Sequence, residues 1–270
     1  MRGVTRILLV LGAFVLSTAF LPPAAQAAGD SGWHMEPVSP NQADVPSLQR
    51  GAALYMNYCI GCHSLKYQRY ERTADDLEIP HDIMLENLIF TGQKIGGLME
   101  IAMPRESAKQ WFGAPPPDLT MVTRVRSPEW VYNYLKTFFI DESRPFGVNN
   151  KVFPNVGMPN VMIALQGTQR EVCKQVPKLA ANGGEMRDPL TPGVPITEEK
   201  CGLLGVDEGT GQLTEKEFDQ AVYDLVNFLH YVAEPSRADR HRIGIYVLLF
   251  LVILYVFTFL LGREYQKEVH

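Results

Sequence analysis

The sequence predicts a mainly α domain with long loop insertions, followed by one C-terminal transmembrane helix. Three observations predict it. Helix-start signals followed by apolar residues three and four apart recur along the chain. The segments between them, GAPPPDLT, SRPFGVNN, FPNVGMPN and NGGEMRDPLTPGVP, are rich in proline and glycine, and strand-like alternation is scarce. Residues 243–261, IGIYVLLFLVILYVFTFLL, run for nineteen positions without a charge.

Taken in order, the chain starts with Arg2 and Arg6, an apolar run from Ile7 to Leu21, and Ala25-Gln26-Ala27. A basic start, a short apolar core and small residues at the A-x-A positions predict a secretory signal peptide over 1–27, cleaved after Ala27. An uncleaved N-terminal anchor is the alternative. SLQRGAALYMNY then reads as a helix with Leu48, Ala52, Tyr55 and Tyr58 near one face. His81 opens a second helical stretch, DIMLENLIF. Ser127-Pro128 is a cap followed by proline at the first helical position, ahead of EWVYNYLKTFF. Thr214 and Glu217 form a capping box, and behind it Phe218, Val222, Leu225 and Leu229 share one face. Pro235 interrupts that helix just before the apolar run.

Nineteen uncharged residues come close to the ~20 that cross a hydrocarbon core. From residue 237 onward, Arg237, Arg240 and Arg242 precede the run, while Arg263 and Lys267 follow it. The charge count alone leans weakly against an exported body. The signal peptide decides the matter, because a translocated chain meets this run as a stop-transfer segment. The expected layout is signal peptide 1–27, exported domain 28–236, juxtamembrane segment 237–242, transmembrane helix 243–261 and cytoplasmic tail 262–270. His241 suits the interface. Loss of Arg2 and Arg6 with the signal peptide, which carries no acid, moves the formal charge from −5 to −7. An acidic exported domain does not suit nucleic acid. It suits a basic protein partner reached by electrostatic steering, or simply solubility.

The chemistry concentrates in YCIGCHSLKY, residues 58–67. Cys59-x-x-Cys62-His63 is the pattern that attaches a c-type haem, with both thiols on the porphyrin vinyl groups and the histidine under the iron. A thioredoxin-like pair needs a βαβ context, whereas a helix precedes this motif. A zinc knuckle needs further ligands at short spacing, and neither Cys173 nor Cys201 has a nearby partner. The sixth ligand sets what the iron does: an open site allows small-molecule chemistry, while a methionine thioether closes it and raises the potential. Two methionines stand in Met-Pro pairs, Met103 in IAMPRE and Met158 in NVGMPN. Distance along the chain favours Met103, and the residues alone leave both open. His81 and His230 read as ordinary surface or core histidines.

In sequence order, the signal peptide, RGAALYMNYCIGCHSLKY, PPPDLT at 115–120, NVGMPN at 155–160 and YVAEPSRADRHR leading into one terminal span resemble the cytochrome c1 family. That family supplies the haem subunit of the cytochrome bc1 complex, a quinol–cytochrome c reductase. The resemblance covers nearly the whole mature chain. It implies a class I cytochrome c-like haem domain with long loop insertions, in a bacterial inner membrane with the haem domain in the periplasm. It implies one covalently attached haem c on Cys59 and Cys62, with His63 and Met158 as the axial ligands. Asp118 falls on the aspartate of the PPDL motif and reads as structural. A basic residue upstream of that motif is expected to meet a haem propionate, and Arg105 and Lys109 are available there.

Some family members carry a disulfide in the insertion that holds Cys173 and Cys201, and the oxidising compartment allows one here. It would close 29 residues and stabilise by roughly 3–4 kcal/mol on the chain-entropy model. Two separate thiols are the alternative. The family's electron arrives from the Rieske iron–sulfur protein, is drawn from quinol at the cytochrome b subunit, and leaves for a periplasmic cytochrome c. The complex is dimeric, and this chain performs no bond chemistry itself. Two rivals are a free-standing membrane-tethered carrier and an open-iron haem protein that binds carbon monoxide.

Overall fold

Two helices, one near each end of the part ahead of the apolar C-terminal helix, cross at van der Waals contact, and the rest of the domain is arranged around them. The computed structural model describes residues 32–268, apart from residues 91, 181, 182, 189 and 192. The expected signal peptide at 1–27 and the last two residues of the tail therefore lie outside the described residues. Helix α1, Val45–Tyr58, is started by Asp44, whose side chain accepts from the Ser47 N–H at 3.1 Å. Helix α8, Glu215–Ala233, is started by the expected capping box: Thr214 N–H donates to Glu217 Oε2 at 2.9 Å, and Glu217 N–H donates back to Thr214 Oγ1.

At the crossing, a Cβ on Gly51 would lie 2.0 Å from the Asp224 carbonyl oxygen and 2.7 Å from Phe228 Cβ. Only glycine lets the backbones meet this closely. Leu48, Ala52, Tyr55 and Met56 of α1 and Val222, Leu225, Phe228 and Leu229 of α8 are buried in one apolar cluster. The Asp224 carboxylate, 3% exposed, sits inside this contact. It accepts from Arg50 Nε at 2.6 Å and Nη2 at 3.0 Å, from Ser47 Oγ at 2.7 Å and from Gln220 Nε2 at 2.9 Å. A charge taken out of water is tolerable when so fully paired.

Between these helices lie α2 (Tyr70–Asp76), α3 (His81–Asn87), α4 (Arg105–Phe112), α5 (Val122–Val125), α6 (Pro128–Lys136) and α7 (Ile163–Gln166). Helix α3 stops short of the expected stretch, leaving Leu88, Ile89 and Phe90 outside it. Ser127 caps α6 as its sequence predicts, accepting from Trp130 N–H at 3.2 Å. Six strands are also present among the described residues, in three antiparallel pairs: β1 (Leu65–Arg69) with β2 (Leu98–Met99), β3 (Phe138–Ile140) with β4 (Val148–Asn150), and β5 (Gln169–Pro177) with β6 (Thr197–Val206).

The β5–β6 pair flanks the proline- and glycine-rich segment NGGEMRDPLTPGVP, in a stretch where the sequence shows no apolar periodicity. Most of its side chains are exposed on both faces. A ribbon with no buried face carries no apolar alternation, which is the signal by which strands are recognised. A disulfide joins Cys173 to Cys201 across it.

Helix α9, Arg237–Glu268, contains a segment long and apolar enough to cross a membrane, with a mean hydropathy of 2.8 and none of it buried within the chain. Only Glu234, Pro235 and Ser236 separate it from α8. Glu234 accepts from Arg124 Nη1 of α5 and from Arg240 Nη2 of α9, each at 2.7 Å. Arg242 pairs with Asp239 at 3.0 Å, and Arg237 Nη1 donates to His230 Nε2 at 2.6 Å. Two of the three arginines ahead of the span thus face carboxylates, and a bare count of basic residues misses this.

Replacing Gly51 by alanine should destabilise the protein at the upper end of the roughly 1–3 kcal/mol typical of overpacking, read from the denaturation midpoint in detergent. A wild-type midpoint would show that the helices separate freely. Burial, with Arg237 and Arg124 nearby and Glu234 opposing, lowers the His230 pKa from its ordinary 6.5. The unfolded chain therefore takes the proton more readily. The His230 contribution should be present above pH 6.5 and fall away below it. A thermal midpoint followed from pH 7 to 5.5 should decline, and His230→Gln should make that decline shallower.

Candidate functional site

Helix α1 delivers the cysteine–histidine motif. Beyond Tyr58 the chain folds into a tight turn, with Cys59 N–H donating to the Tyr55 carbonyl at 2.9 Å and His63 N–H to the Cys59 carbonyl at 2.9 Å. The turn gathers Cys59, Cys62 and His63 on one side, where all three line a cavity of about 620 Å³. Its remaining wall is chiefly apolar: Pro115–Leu119, Val122 and Val125 from one side, Trp130, Val131 and Tyr134 of α6, Val156–Pro159, and Leu225 and Leu229 of α8. The volume lies within the range of small-molecule and cofactor sites.

The ring of His63 is held by its far nitrogen. Nδ1 lies 2.7 Å from the Pro117 carbonyl oxygen; a carbonyl can only accept, so Nδ1 carries the proton and Nε2 keeps its lone pair. Burial lowers the His63 pKa, against the opposing pull of the Pro117 carbonyl and Asp118, and so favours the neutral ring that a metal ligand requires. The Pro117 carbonyl is itself placed by a latch. Asp118 Oδ2 accepts from Lys66 N–H at 2.8 Å and its Oδ1 from Thr120 N–H at 3.0 Å, while Leu119 N–H donates to the Ser64 carbonyl at 2.9 Å. The PPPDLT segment is thereby clipped to the residues that follow His63.

Cys59 differs from an activated thiol. Burial, with Cys62 adding to it, pushes the Cys59 thiol up to about 12. A redox-active or zinc-binding pair requires the opposite, a stabilised thiolate.

Of the two Met-Pro candidates, Met158 lines the cavity and Met103 does not. Met158 reaches it from the loop after β4, packed against Phe138, Val148 and Val156. Neither Arg105 nor Lys109, both on α4, is on the cavity wall. The cation there is Arg126, stacked 5.1 Å over the Trp130 ring. Sequence reasoning looked upstream of PPDL and missed it. The signal that could have found it is its place directly before the Ser127-Pro128 helix start, which orients Trp130 beneath it. Outside the cavity, Glu199 approaches Cys173 and Cys201, but their sulfurs are bonded to each other, leaving no thiolate for a metal.

An imidazole with a free Nε2, a thioether, two thiols at one rim, a cation and an otherwise apolar wall make a donor set that fits a c-type haem. His81 and His230 lie elsewhere, bonded to Asp75 and Arg237.

Comparison with known proteins gives a match to the Cytochrome C1 family model over residues 206–269, the stretch that holds α8 and α9 rather than the cysteine motif. The chain is 47% identical over 262 residues to a cytochrome c1 of Allochromatium vinosum, covering 97% of this chain and 99% of that one. It is 37% identical over 257 residues to a protein of Nitrosomonas europaea named ammonia monooxygenase gamma subunit, covering 95% and 98%. A cytochrome c1 of Rhodospirillum rubrum is 25% identical over 251 residues, covering 84% and 83%.

Asp118→Ala would leave the Lys66 and Thr120 N–H groups without their acceptor and free the Pro117 carbonyl. A loss of about 1–3 kcal/mol is expected, read as a lower thermal midpoint. A midpoint equal to wild type would show that the latch does not hold the loop.

Proposed function

The chain belongs to the cytochrome c1 family, the haem-bearing electron-transfer subunits of bc1-type oxidoreductases, and we propose from that premise that it carries single electrons through one covalently attached haem c. Cys59 and Cys62 would hold the porphyrin by thioether bonds, and His63 Nε2 and Met158 Sδ would be the protein ligands to the iron. The observation that carries this reading is that four residues from two distant segments, Cys59, Cys62, His63 and Met158, converge on one apolar cavity.

When bound, the haem supplies the one-electron couple. The chain's own residues set its properties. The bond from His63 Nδ1 to the Pro117 carbonyl fixes ring orientation and tautomer. The Met158 thioether and the apolar wall raise the potential, and an occupied sixth position excludes small molecules. Arg126, on the cavity wall, would be the cation available to offset the haem carboxylates.

In this proposal the electron comes from a Rieske iron–sulfur protein, which takes it from quinol at a cytochrome b subunit, and leaves for a periplasmic cytochrome c in a respiratory or photosynthetic chain. Residues 28–236 lie in the periplasm, 237–242 approach a bacterial inner membrane, 243–261 cross it, and 262–270 form a cytoplasmic tail, after cleavage of 1–27. The subunit works within a dimeric complex, and its acidic surface suits a basic acceptor.

A free-standing tethered carrier would require a flexible linker. Here three residues join α8 to α9, and Glu234 among them is held from both sides. The Nitrosomonas europaea relative's name gives a second reading, delivery of electrons to an oxygenase. Quinol-dependent reduction of the haem in membranes, abolished by removal of the cytochrome b subunit, separates the two.

Cys59→Ala with Cys62→Ala should leave no haem on the polypeptide after denaturing electrophoresis. Met158→Leu should retain covalent haem, lower its potential by a large margin and let the reduced form bind carbon monoxide. Unchanged potential and continued resistance to carbon monoxide would remove Met158 from the iron.

A further inference from the structure

The segment that brings Met158 to the cavity is tied down at its leading end by a distant arginine. Val156 and Met158 pack against Phe138 and Val148, but among the described residues the main chain from Val156 to Pro159 makes no hydrogen bond. The polar anchor ahead of it is Asn155, whose φ of 62° lies in the left-handed region, where asparagine is far commoner than most side chains. Three of its polar groups are bonded to the hairpin that β3 and β4 form. The Asn155 carbonyl accepts from Arg144 Nη2 at 3.0 Å and its Oδ1 from Arg144 Nη1 at 3.2 Å, while its N–H donates to Asn149 Oδ1 at 2.8 Å. We propose that Arg144 is a positioning residue: through Asn155 it holds the segment Val156–Pro159 so that the Met158 sulfur keeps the sixth position when the iron is oxidised. The proposal rests on the reading of Met158 as an axial ligand.

The turn that carries Arg144 is bonded from within. Arg144 N–H donates to the Asp141 carbonyl at 3.1 Å, and the Arg144 carbonyl accepts from Gly147 N–H at 2.9 Å. The Asp141 carboxylate accepts from Ser143 Oγ at 2.6 Å and from Asn149 Nδ2 at 2.9 Å. One acid thus fixes both the turn and the amide that receives the Asn155 N–H. A planar guanidinium making two bonds to one residue sets direction as well as distance, which an ammonium does not.

A thioether is a soft donor, and ferric iron is the harder of the two oxidation states. The sulfur is therefore held least by its own bond when the iron is oxidised, and there the loop must supply the rest. A segment already fixed in its ligating position loses little freedom on ligation. Released at Asn155, it gains conformations that carry the sulfur away, and an outside ligand competes more effectively for the ferric haem. The ferrous form, with its stronger bond to sulfur, changes less.

The test uses the full-length protein within its complex and titrates the oxidised haem with imidazole, followed by absorption. Arg144→Ala should keep covalent haem and a reduced form that resists carbon monoxide, yet bind imidazole about three- to tenfold more tightly. Arg170→Ala, which breaks the exposed Arg170–Asp207 pair on the β5–β6 ribbon, should bind it as wild type does. Wild-type affinity in Arg144→Ala overturns the proposal, and so does an equal gain in Arg170→Ala, which marks general loosening. Asn155→Gly keeps the left-handed turn and loses the Nη1 bond. It should show a smaller gain of the same sign, and serves as the deciding variant where Arg144→Ala does not assemble; wild-type affinity there overturns the proposal. In a Met158→Leu background the gain from Arg144→Ala should vanish. Its persistence there would show that Arg144 controls access rather than the sulfur, and overturns the proposal alone. If Met158→Leu by itself leaves imidazole affinity unchanged, the ligand reading fails and takes the proposal with it.

Discussion

The contact between Gly51 and the backbone of Asp224 is the constraint on which the rest of the domain depends. It lets α1 and α8 touch without side chains between them. Helix α1 runs directly into Cys59, Cys62 and His63, while α8 contributes Leu225 and Leu229 to the cavity wall and leads through Pro235 into the apolar helix. One crossing therefore fixes both the residues that would hold the cofactor and the approach to the apolar C-terminal helix. The buried Asp224 carboxylate adds direction to a contact that apolar packing alone would leave free to slide. Its three hydrogen bonds to Arg50 and Ser47 across the crossing are made only in one register.

The site shows how backbone and side chain divide the work. A ligand histidine needs a fixed tautomer, and here a proline carbonyl supplies it. That carbonyl stays in place because Asp118 turns the following segment back onto Ser64 and Lys66. Proline is apt at this point: it lacks an N–H, so its neighbours' hydrogen bonds must come from the Asp118 side chain and from Leu119. At the other end of the domain, Glu234 joins α5, which walls the cavity, to α9 through two arginines. How the apolar helix meets the rest of the domain is a matter of charge pairing as much as of helix continuity.

Much of this is legible in the sequence, where a physical period or a local rule writes it there. The capping box at Thr214, the cap at Ser127, the apolar faces of α1 and α8 and the terminal apolar helix each follow from spacing within a few residues. The cysteine–histidine pentapeptide is legible because covalent chemistry demands that spacing. What sequence reading missed depends on contacts far apart in the chain. The β5–β6 ribbon has no buried face and so no alternation to read. Arg126 reaches the cavity because α6 orients Trp130 beneath it; the helix start at Ser127-Pro128 places the residue, but only the fold places the cavity beside it. The choice between Met103 and Met158 needed either the family resemblance or the fold, since both sit in Met-Pro pairs and only the course of the loop after β4 brings one of them to the cavity.

The central claim is that one sulfur and one imidazole close the iron. X-ray absorption at the iron edge of the purified complex, with the contribution of the other haems and of the iron–sulfur protein subtracted using a preparation lacking this subunit, reads the ligand set directly. The account predicts five nitrogen scatterers and one sulfur in both oxidation states. Six light scatterers, or five with an open position, would contradict it.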